Sequence, residues 1–246
     1  MDDELIDKML GVGRQPPKKQ IFLEDLKVSE DVFDRSTLLT LYDLVNRGYI
    51  SVLHGAVKTG KESSVFLSMD GSGERHAVKI HRIVTSDFRQ MSRYIEGDRR
   101  FKDIKRSKRS MIFTWVEKEF MNLRTAFDAG VSVPRPVVRR GNVLVMEFIG
   151  EGDVAAPMLR DVKLRTEGFY REVVEEVKRL YESGLVHGDL SEYNILVHRG
   201  KPVLIDISQG VPVSHPMAEE LLRRDVGNVA RFFGKKFDKV WATIVG

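Results

Sequence analysis

Cysteine is absent from the 246 residues, which excludes disulfides, thiolate nucleophiles and sulfur-based zinc sites. Histidine is scarce. His54, His76, His81, His198 and His215 show no metal-ligand spacing and read as structural. No apolar run approaches the ~20 residues that a membrane-spanning helix needs. Met1-Asp2-Asp3-Glu4 opens the chain acidic, without a signal-peptide core. These features give the expectation of a cytoplasmic protein with no membrane partner. A large excess of one charge is lacking too: the net charge is +4, so no polyanionic partner is required by the chain as a whole. Internal repeats and low-complexity segments are also missing.

What is present is an apolar fraction of 42%, enough for one large domain or for two lobes around a cleft. The charged fraction of 31% fits a heat-adapted source. Residues 1–47 read as helical. Leu5, Ile6, Met9 and Leu10 form a short amphipathic segment, and Pro16-Pro17 forces an extended linker. Asp34 or Ser36 can then cap a helix carrying Leu38, Leu41, Leu44 and Val45, with Gly48 past its end. From Tyr49 the period becomes two, with strands at 49–57, 64–69 and 76–81 and a hairpin turn at Asp70-Gly71-Ser72-Gly73. Residues 112–129 read as a helix, 136–139 and 142–148 as strands, and Gly150-Glu151-Gly152 as a flexible joint. Beyond it the pattern is mostly helical: Thr166 caps a helix with the stripe Phe169, Val173, Val177 and Leu180. Short strands at 195–198 and 202–205 and a helix at 217–233 complete the chain. The organisation expected is a helical extension (1–47), a sheet unit (48–149) and a helical unit (150–246). A cleft at the joint is the natural ligand site. Within 82–110, ten bases stand against four acids, so this basicity is local and reads as a flexible insertion.

Three constellations carry chemistry. Gly55-Ala56-Val57-Lys58-Thr59-Gly60-Lys61 fits the first seven positions of a P-loop. Glu62 replaces the metal-binding hydroxyl, however, and a strand follows where a helix is needed. A glycine-bearing turn between antiparallel strands can still lay backbone N–H groups over phosphates. Lys79, inside the apolar strand Ala77-Val78-Lys79-Ile80, is costly to bury unless paired. Glu119 is the preferred partner, with Glu117 as the alternative. The two point ~200° apart on a helix, so only one can pair. Asp189 and Asn194 share a polar turn, and Asp206 ends an apolar strand-like run. Two carboxylates and an amide in this order can hold a divalent cation against a polyphosphate with one carboxylate spare.

The order lysine in the third strand, glutamate in the next helix, then Asp, Asn and Asp is similar to that of the protein kinases. Thr59-Gly60-Lys61-Glu62, His187-Gly188-Asp189-Leu190-Ser191-Glu192-Tyr193-Asn194 and Ile205-Asp206-Ile207-Ser208-Gln209 resemble the RIO family of atypical serine/threonine protein kinases. The likeness is closest to the first subfamily, in an archaeal form. Val32-Phe33-Asp34 through Arg47-Gly48 and His215-Pro216 through Asn228 add to it, so that it spans about residues 30–235. The resemblance implies an α+β, two-lobed kinase-like fold with a small antiparallel-sheet lobe holding one long helix, and a reduced helical lobe. ATP would lie between the lobes, its purine edge read by backbone groups of Glu147 and Ile149 after Met146. Lys79, held by Glu119, would contact the inner phosphates, with Lys61 and Ser63 near the outer ones. Asn194 and Asp206 would ligate Mg2+ or Mn2+, and Asp189 would orient or deprotonate the nucleophile. That nucleophile is a Ser or Thr hydroxyl or Asp206 itself, the latter giving an aspartyl-phosphate. The family likeness further implies a role in small ribosomal subunit maturation.

The chain departs from ordinary kinases in having His-Gly-Asp in place of His-Arg-Asp and Asp206-Ile207-Ser208 in place of Asp-Phe-Gly. It also has only about ten residues between Asp206 and the next helix. An activation-segment switch and a peptide platform are therefore not expected. Two other functions remain open: a small-molecule phosphotransferase, and an ATP-switched module that binds the pre-ribosomal small subunit and rRNA through the basic residues 99–109. Neither the physiological substrate nor the oligomeric state follows from the sequence.

Overall fold

The computed structural model describes residues 33–83, 87–101, 107–162 and 164–246. The expected segment Leu5–Leu10, the Pro16-Pro17 linker and the basic residues Lys102, Lys105 and Arg106 lie outside them. The first helix, α1 (Arg35–Asn46), is capped by Asp34, whose carboxylate accepts from Thr37 N at 2.8 Å and from Thr37 Oγ1 at 3.0 Å. Its apolar stripe, Leu41, Leu44 and Val45, packs with Phe66, Val78, Ile80, Val143 and Val145 on one face of a sheet.

That sheet contains β1 (Val52–Thr59), β2 (Ser63–Met69), β3 (Arg75–His81), β4 (Pro136–Arg140) and β5 (Val143–Glu147), in the spatial order β1-β2-β3-β5-β4 and antiparallel throughout. Asp70 closes the β2–β3 turn by accepting from Ser72 N, Ser72 Oγ and Glu74 N. Strand β1 is an edge. Its pairing with β2 slips twice, between Leu53 and Ala56 and between Ala56 and Lys58, and residues 55–59 are exposed.

Of the stretch 82–110, expected as a flexible insertion, residues 82–83, 87–101 and 107–110 are described, and they include a helix not expected from the sequence. This is α2 (Phe88–Ile95), capped by Asp87, which accepts from Arg89 N and Gln90 N. Met91, Tyr94 and Ile95 are buried on one face, and Tyr94 meets Trp115 edge-on at 6.0 Å. Burial of that apolar face, at about 1.5–3 kcal/mol per large side chain, holds this helix in place despite its charge. The long helix α3 (Lys108–Asp128) follows. Although it comes between sheet strands, its core residues Ile112, Val116, Leu123 and Ala126 join the cluster of the C-terminal helices. The two units thus meet along α3.

The glycine pair at 150–152 is also not a slack joint. Strands β6 (Gly150–Glu151) and β7 (Val154–Ala155) form a small hairpin. A Cβ on Gly150 would lie 2.2 Å from Val154 O, so glycine is required by close approach. Helix α4 (Glu167–Glu182) is capped by Thr166 and buries Phe169, Val173, Val177 and Leu180. Strands β8 (Leu185–Val186), β9 (Ile195–His198), β10 (Lys201–Leu204) and β11 (Val211–Pro212) pair as β9–β10 and β8–β11. Helix α5 (Ala218–Phe233) ends in Gly234 in the left-handed region, and an unexpected α6 (Phe237–Val245) packs on α4 and α5. The architecture is two-lobed and α+β, a small antiparallel sheet with one long helix beside a reduced helical lobe. Among the described residues no helix is long and apolar enough to cross a membrane.

Candidate active site

Strand β3 carries Lys79 inward, and α3 brings Glu119 to it. The ammonium donates to Glu119 Oε1 at 2.7 Å and to Asp206 Oδ1 at 2.8 Å. The side chains of Lys79 and Glu119 are 6% and 1% exposed, while that of Asp206 is 41% exposed. The pair is therefore dry, and its third member faces the cleft. Glu117, on another face of α3, pairs with Arg139 instead. Burial opposes charge on all three groups, but their mutual attraction wins. Asp206 and Glu119 hold Lys79 above the ordinary lysine range. Lys79 and His81 hold Glu119 below the usual carboxylate range, and Lys79 does the same to Asp206, with help from the Ser208 hydroxyl.

Strand β8 delivers the turn that bears Asp189. His187 Nε2 donates to Ile205 O at 3.1 Å, and its Nδ1 accepts from Asp189 N at 3.4 Å. The two bonds demand the same tautomer, a neutral ring protonated on Nε2; burial keeps it so, lowering its pKa to about 4. Gly188 sits at φ 78°, and a Cβ there would meet Gln209 O at 2.7 Å. That explains why this position lacks the arginine of ordinary kinases: the backbone after Asp206 occupies the space. From α5, buried Asp225 accepts from Gly188 N at 2.7 Å and Leu190 N at 2.9 Å. Burial pushes its pKa up to about 7 against those bonds. Asn194 donates to Asp189 O at 2.8 Å and to Asp189 Oδ2 at 3.3 Å. Burial, then the charge of Asp206, raises the pKa of Asp189.

Asp206 follows β10 with φ 59° and ψ 54°, in the left-handed region that side chains disfavour. Its Oδ1 also accepts from Ser208 Oγ at 3.0 Å. With Asn194 donating through Nδ2, its Oδ1 is left as an acceptor. Asn194 and Asp206 then offer oxygen donors only, a set that suits Mg2+ or Mn2+.

Ser63, Lys79, Asp189 and Asp206 line one cavity of about 220 Å3. Glu119 supports Lys79 from behind, and Asn194 holds Asp189 from the side. Met146 and Glu147, at the end of β5, and Ile149 beyond it are not part of this lining. There Glu147 N donates to Arg135 O at 2.8 Å, while its carboxylate accepts from Arg135 N. Lys61 is on the turn before β2 and is not part of the lining.

Sequence reasoning missed several wall residues. Asp87, Gln90 and Met91 of the α2 region, Trp115 of α3 and Ser208 all face the cavity. So does His81, read as merely structural; its Nε2 lies 3.3 Å from Glu119 Oε2. The signal was available, because residues 79 and 81 of a strand share a face. Another acidic cluster with a histidine, Asp70, Glu74 and His76, lies at the β2–β3 turn. Turn closure by Asp70 and pairing of Glu74 with Arg135 account for it.

A family pattern described as the RIO domain matches residues 64–244. The chain is 48% identical over 214 residues to the RIO-type serine/threonine-protein kinase Rio1 of Haloferax volcanii, covering 87% of this chain and 74% of that one. It is 48% identical over 221 residues to the protein of the same description from Methanocaldococcus jannaschii, covering 89% and 76%. Among solved structures, the Rio2 kinase-ADP/Mg2+-phosphoaspartate complex from Chaetomium thermophilum superposes with a TM-score of 0.64 at 22% identity, over 98% of this chain and 75% of that one. At that identity the likeness is one of fold.

Proposed function

The chain belongs to the RIO family, in its first subfamily, and is an atypical kinase, an ATP-dependent phosphotransferase; we propose that it binds ATP with a divalent cation in the interlobe cleft and transfers or releases the γ-phosphoryl group there. One observation carries this reading: the buried ammonium of Lys79 is bonded to both Glu119 and Asp206, on the cavity that Asp189 also lines. A lysine so held is a fixed cation for phosphate oxygens, and positioning with charge neutralisation supplies most of the rate in such chemistry.

Lys79 contacts the inner phosphates, while Ser63 and Lys61 meet the outer ones from the turn between β1 and β2. Glu147 C=O and Ile149 N–H, next to Met146, read the purine edge. Asn194 and Asp206 hold Mg2+ or Mn2+, which when bound neutralises charge on the phosphate oxygens. Asp189, with its raised pKa, takes the proton from the attacking hydroxyl or water. Alternatively an Asp206 carboxylate oxygen attacks the γ-phosphorus and the bond to the bridging oxygen breaks. ADP then leaves, and water activated by Asp189 hydrolyses the acyl phosphate. The work this activity serves is maturation of the small ribosomal subunit, as the family likeness implies.

Of the two other functions, neither gains a specific observation. The chain after Asp206 forms α5 and α6, both engaged in the core around α4, and these leave no separate substrate lobe among the described residues. Within the basic cluster, Arg100 is tied to Asp98 and Asn122, and Arg109 lies over Phe113.

Incubation with γ-labelled ATP and Mg2+, followed by acid and hydroxylamine treatment, tests the reading. A hydroxylamine-labile label identifies an acyl phosphate, and a stable one identifies phosphoserine or phosphothreonine. Asp189→Ala is expected to abolish turnover, read as phosphate release, while sparing ATP binding. Full activity in that variant would remove the assignment.

A further inference from the structure

Lys118 and Asn122 stand one turn apart on α3, both 0% exposed. Neither lines the cavity, yet both donate into the backbone that follows Asp206. Asn122 Nδ2 reaches Ile207 O at 3.0 Å and Gly210 O at 2.8 Å. Lys118 Nζ reaches Ser208 O at 3.0 Å and also bonds Gly210 O. A Cβ on Gly210 would sit 3.0 Å from Asn122 Nδ2, so the absence of a side chain there is what admits the amide.

The orientation of Asn122 is not arbitrary. Arg100 Nη2 donates to Asn122 Oδ1 at 2.9 Å, and arginine has only donors, so the amide nitrogen must face the carbonyls. Arg100 is itself fixed by buried Asp98 through its Nε at 2.9 Å and its Nη2 at 2.7 Å. The hydrogen bonds of Lys118 go to backbone carbonyls, and the Trp115 ring lies 5.4 Å from ammonium to centroid. Burial, and then Arg100, pull its pKa down to about 7 against Asp98 and Glu119, so an ammonium is costly to hold at this place. An apolar side chain of similar length would pack there without that cost, so the ammonium calls for a role that an apolar chain cannot fill.

That role is suggested by the residue just before the clamped carbonyls. Asp206 is held in a left-handed conformation that its own side chain disfavours. We propose that Lys118 and Asn122 are positioning residues that hold the 206–210 turn, and so aim the Asp206 carboxylate at Lys79 and the cleft, with the Asp98–Arg100 pair setting the Asn122 amide. The proposal rests on the reading above, in which Asp206 acts in ATP turnover. It also gives the segment between α2 and α3 a connection to the reacting end of the cleft that does not pass through solvent.

The test compares wild type, Asn122→Ala, Lys118→Met and Asp206→Ala. Turnover is followed by phosphate release at saturating ATP across a Mg2+ titration, and binding by a fluorescent ATP analogue in EDTA. Loss of a group that orients a metal ligand typically costs about 10–100-fold in metal affinity or activity. Asn122→Ala and Lys118→Met are expected to lower turnover by about that factor and to raise the Mg2+ needed for half-maximal rate. Metal-free binding of the analogue should stay within about twofold, a split that a general loss of folding would not give. If both variants turn over and titrate like wild type while Asp206→Ala is dead, the positioning role falls and the reading of the site stands. If both lose metal-free binding along with turnover, they serve folding at large and the positioning role also falls. If Asp206→Ala turns over like wild type, the reading of the site itself is wrong.

Discussion

Replacing Lys79 by methionine removes the one cation between two carboxylates whose surroundings differ. Asp206 retains access to water in the cleft, whereas Glu119 is 1% exposed and has none. Breaking a buried pair by deleting one partner costs about 3–5 kcal/mol, mostly because the survivor is left charged and dry. The loss should therefore be largely relieved in Lys79→Met/Glu119→Gln, with a coupling energy of about 2 kcal/mol or more. With a urea slope of about 3 kcal/mol/M, the single variant should unfold at a midpoint about 1–1.7 M lower than wild type.

The pH dependence gives a second, sign-sensitive check. In wild type the pKa of Glu119 is lowered, so it contributes stability above its unfolded value of about 4.3 that is lost as pH falls through the folded value. Without Lys79, burial becomes the leading effect and raises that pKa above the unfolded one. The folded state then holds a proton that the unfolded state has released, and stability rises as pH falls from neutral towards 5. Urea denaturation of the four proteins of the cycle at pH 5 and pH 7.5 decides the matter. If Lys79→Met is as stable as the double variant at both values, the Lys79–Glu119 pair is not the dehydrated ion pair described.

Asp189→Asn should lower kcat by about 10²–10⁴-fold. In wild type, kcat/KM should fall as pH drops through the raised pKa of Asp189, a limb that the asparagine variant lacks in a pH–rate profile. Gly188→Ala forces a side chain into φ 78° and against Gln209 O, so chemical denaturation should show a loss of about 2–3 kcal/mol, accompanied by loss of turnover. Removal of divalent cations with EDTA should stop phosphate release, and Mg2+ or Mn2+ should restore it; release that persists in EDTA counts against the oxygen-donor site at Asn194 and Asp206.

The Lys79–Glu119 pair was legible because the two arguments behind it are local. A lysine in an apolar strand needs a partner, and helix geometry sends Glu117 elsewhere, in the event to Arg139. The second carboxylate on Lys79 was not, since no periodicity relates Asp206 to a strand 127 residues earlier. Helix α2 was hidden by its own charge. Met91, Tyr94 and Ile95 lie among arginines, and the basic count of 82–110 outweighed a three-residue apolar face. Gly150 was misread because glycine signals both slack and tight contact, and only the position of Val154 O tells them apart. Helix α6 was there to be read: Phe237, Val240, Trp241 and Ile244 follow helical spacing. The buried lysine at 118 gave no signal at all, because its partners are backbone carbonyls and leave no mark in side-chain pattern.

The exposed half of β1 also bears on how this protein avoids sticking to itself. As an edge, β1 presents a row of backbone groups onto which a strand from another chain can add, the usual first step of edge-to-edge aggregation. Its two register slips interrupt that row, and Lys58 puts a charge beside the second slip. The same irregularities precede the turn that brings Glu62 and Ser63 to the cavity. Deleting one residue of β1 would thus remove one of the two interruptions and shift the cover of the cleft by one strand face: resistance to aggregation and the setting of the phosphate end of the site depend on the same few residues.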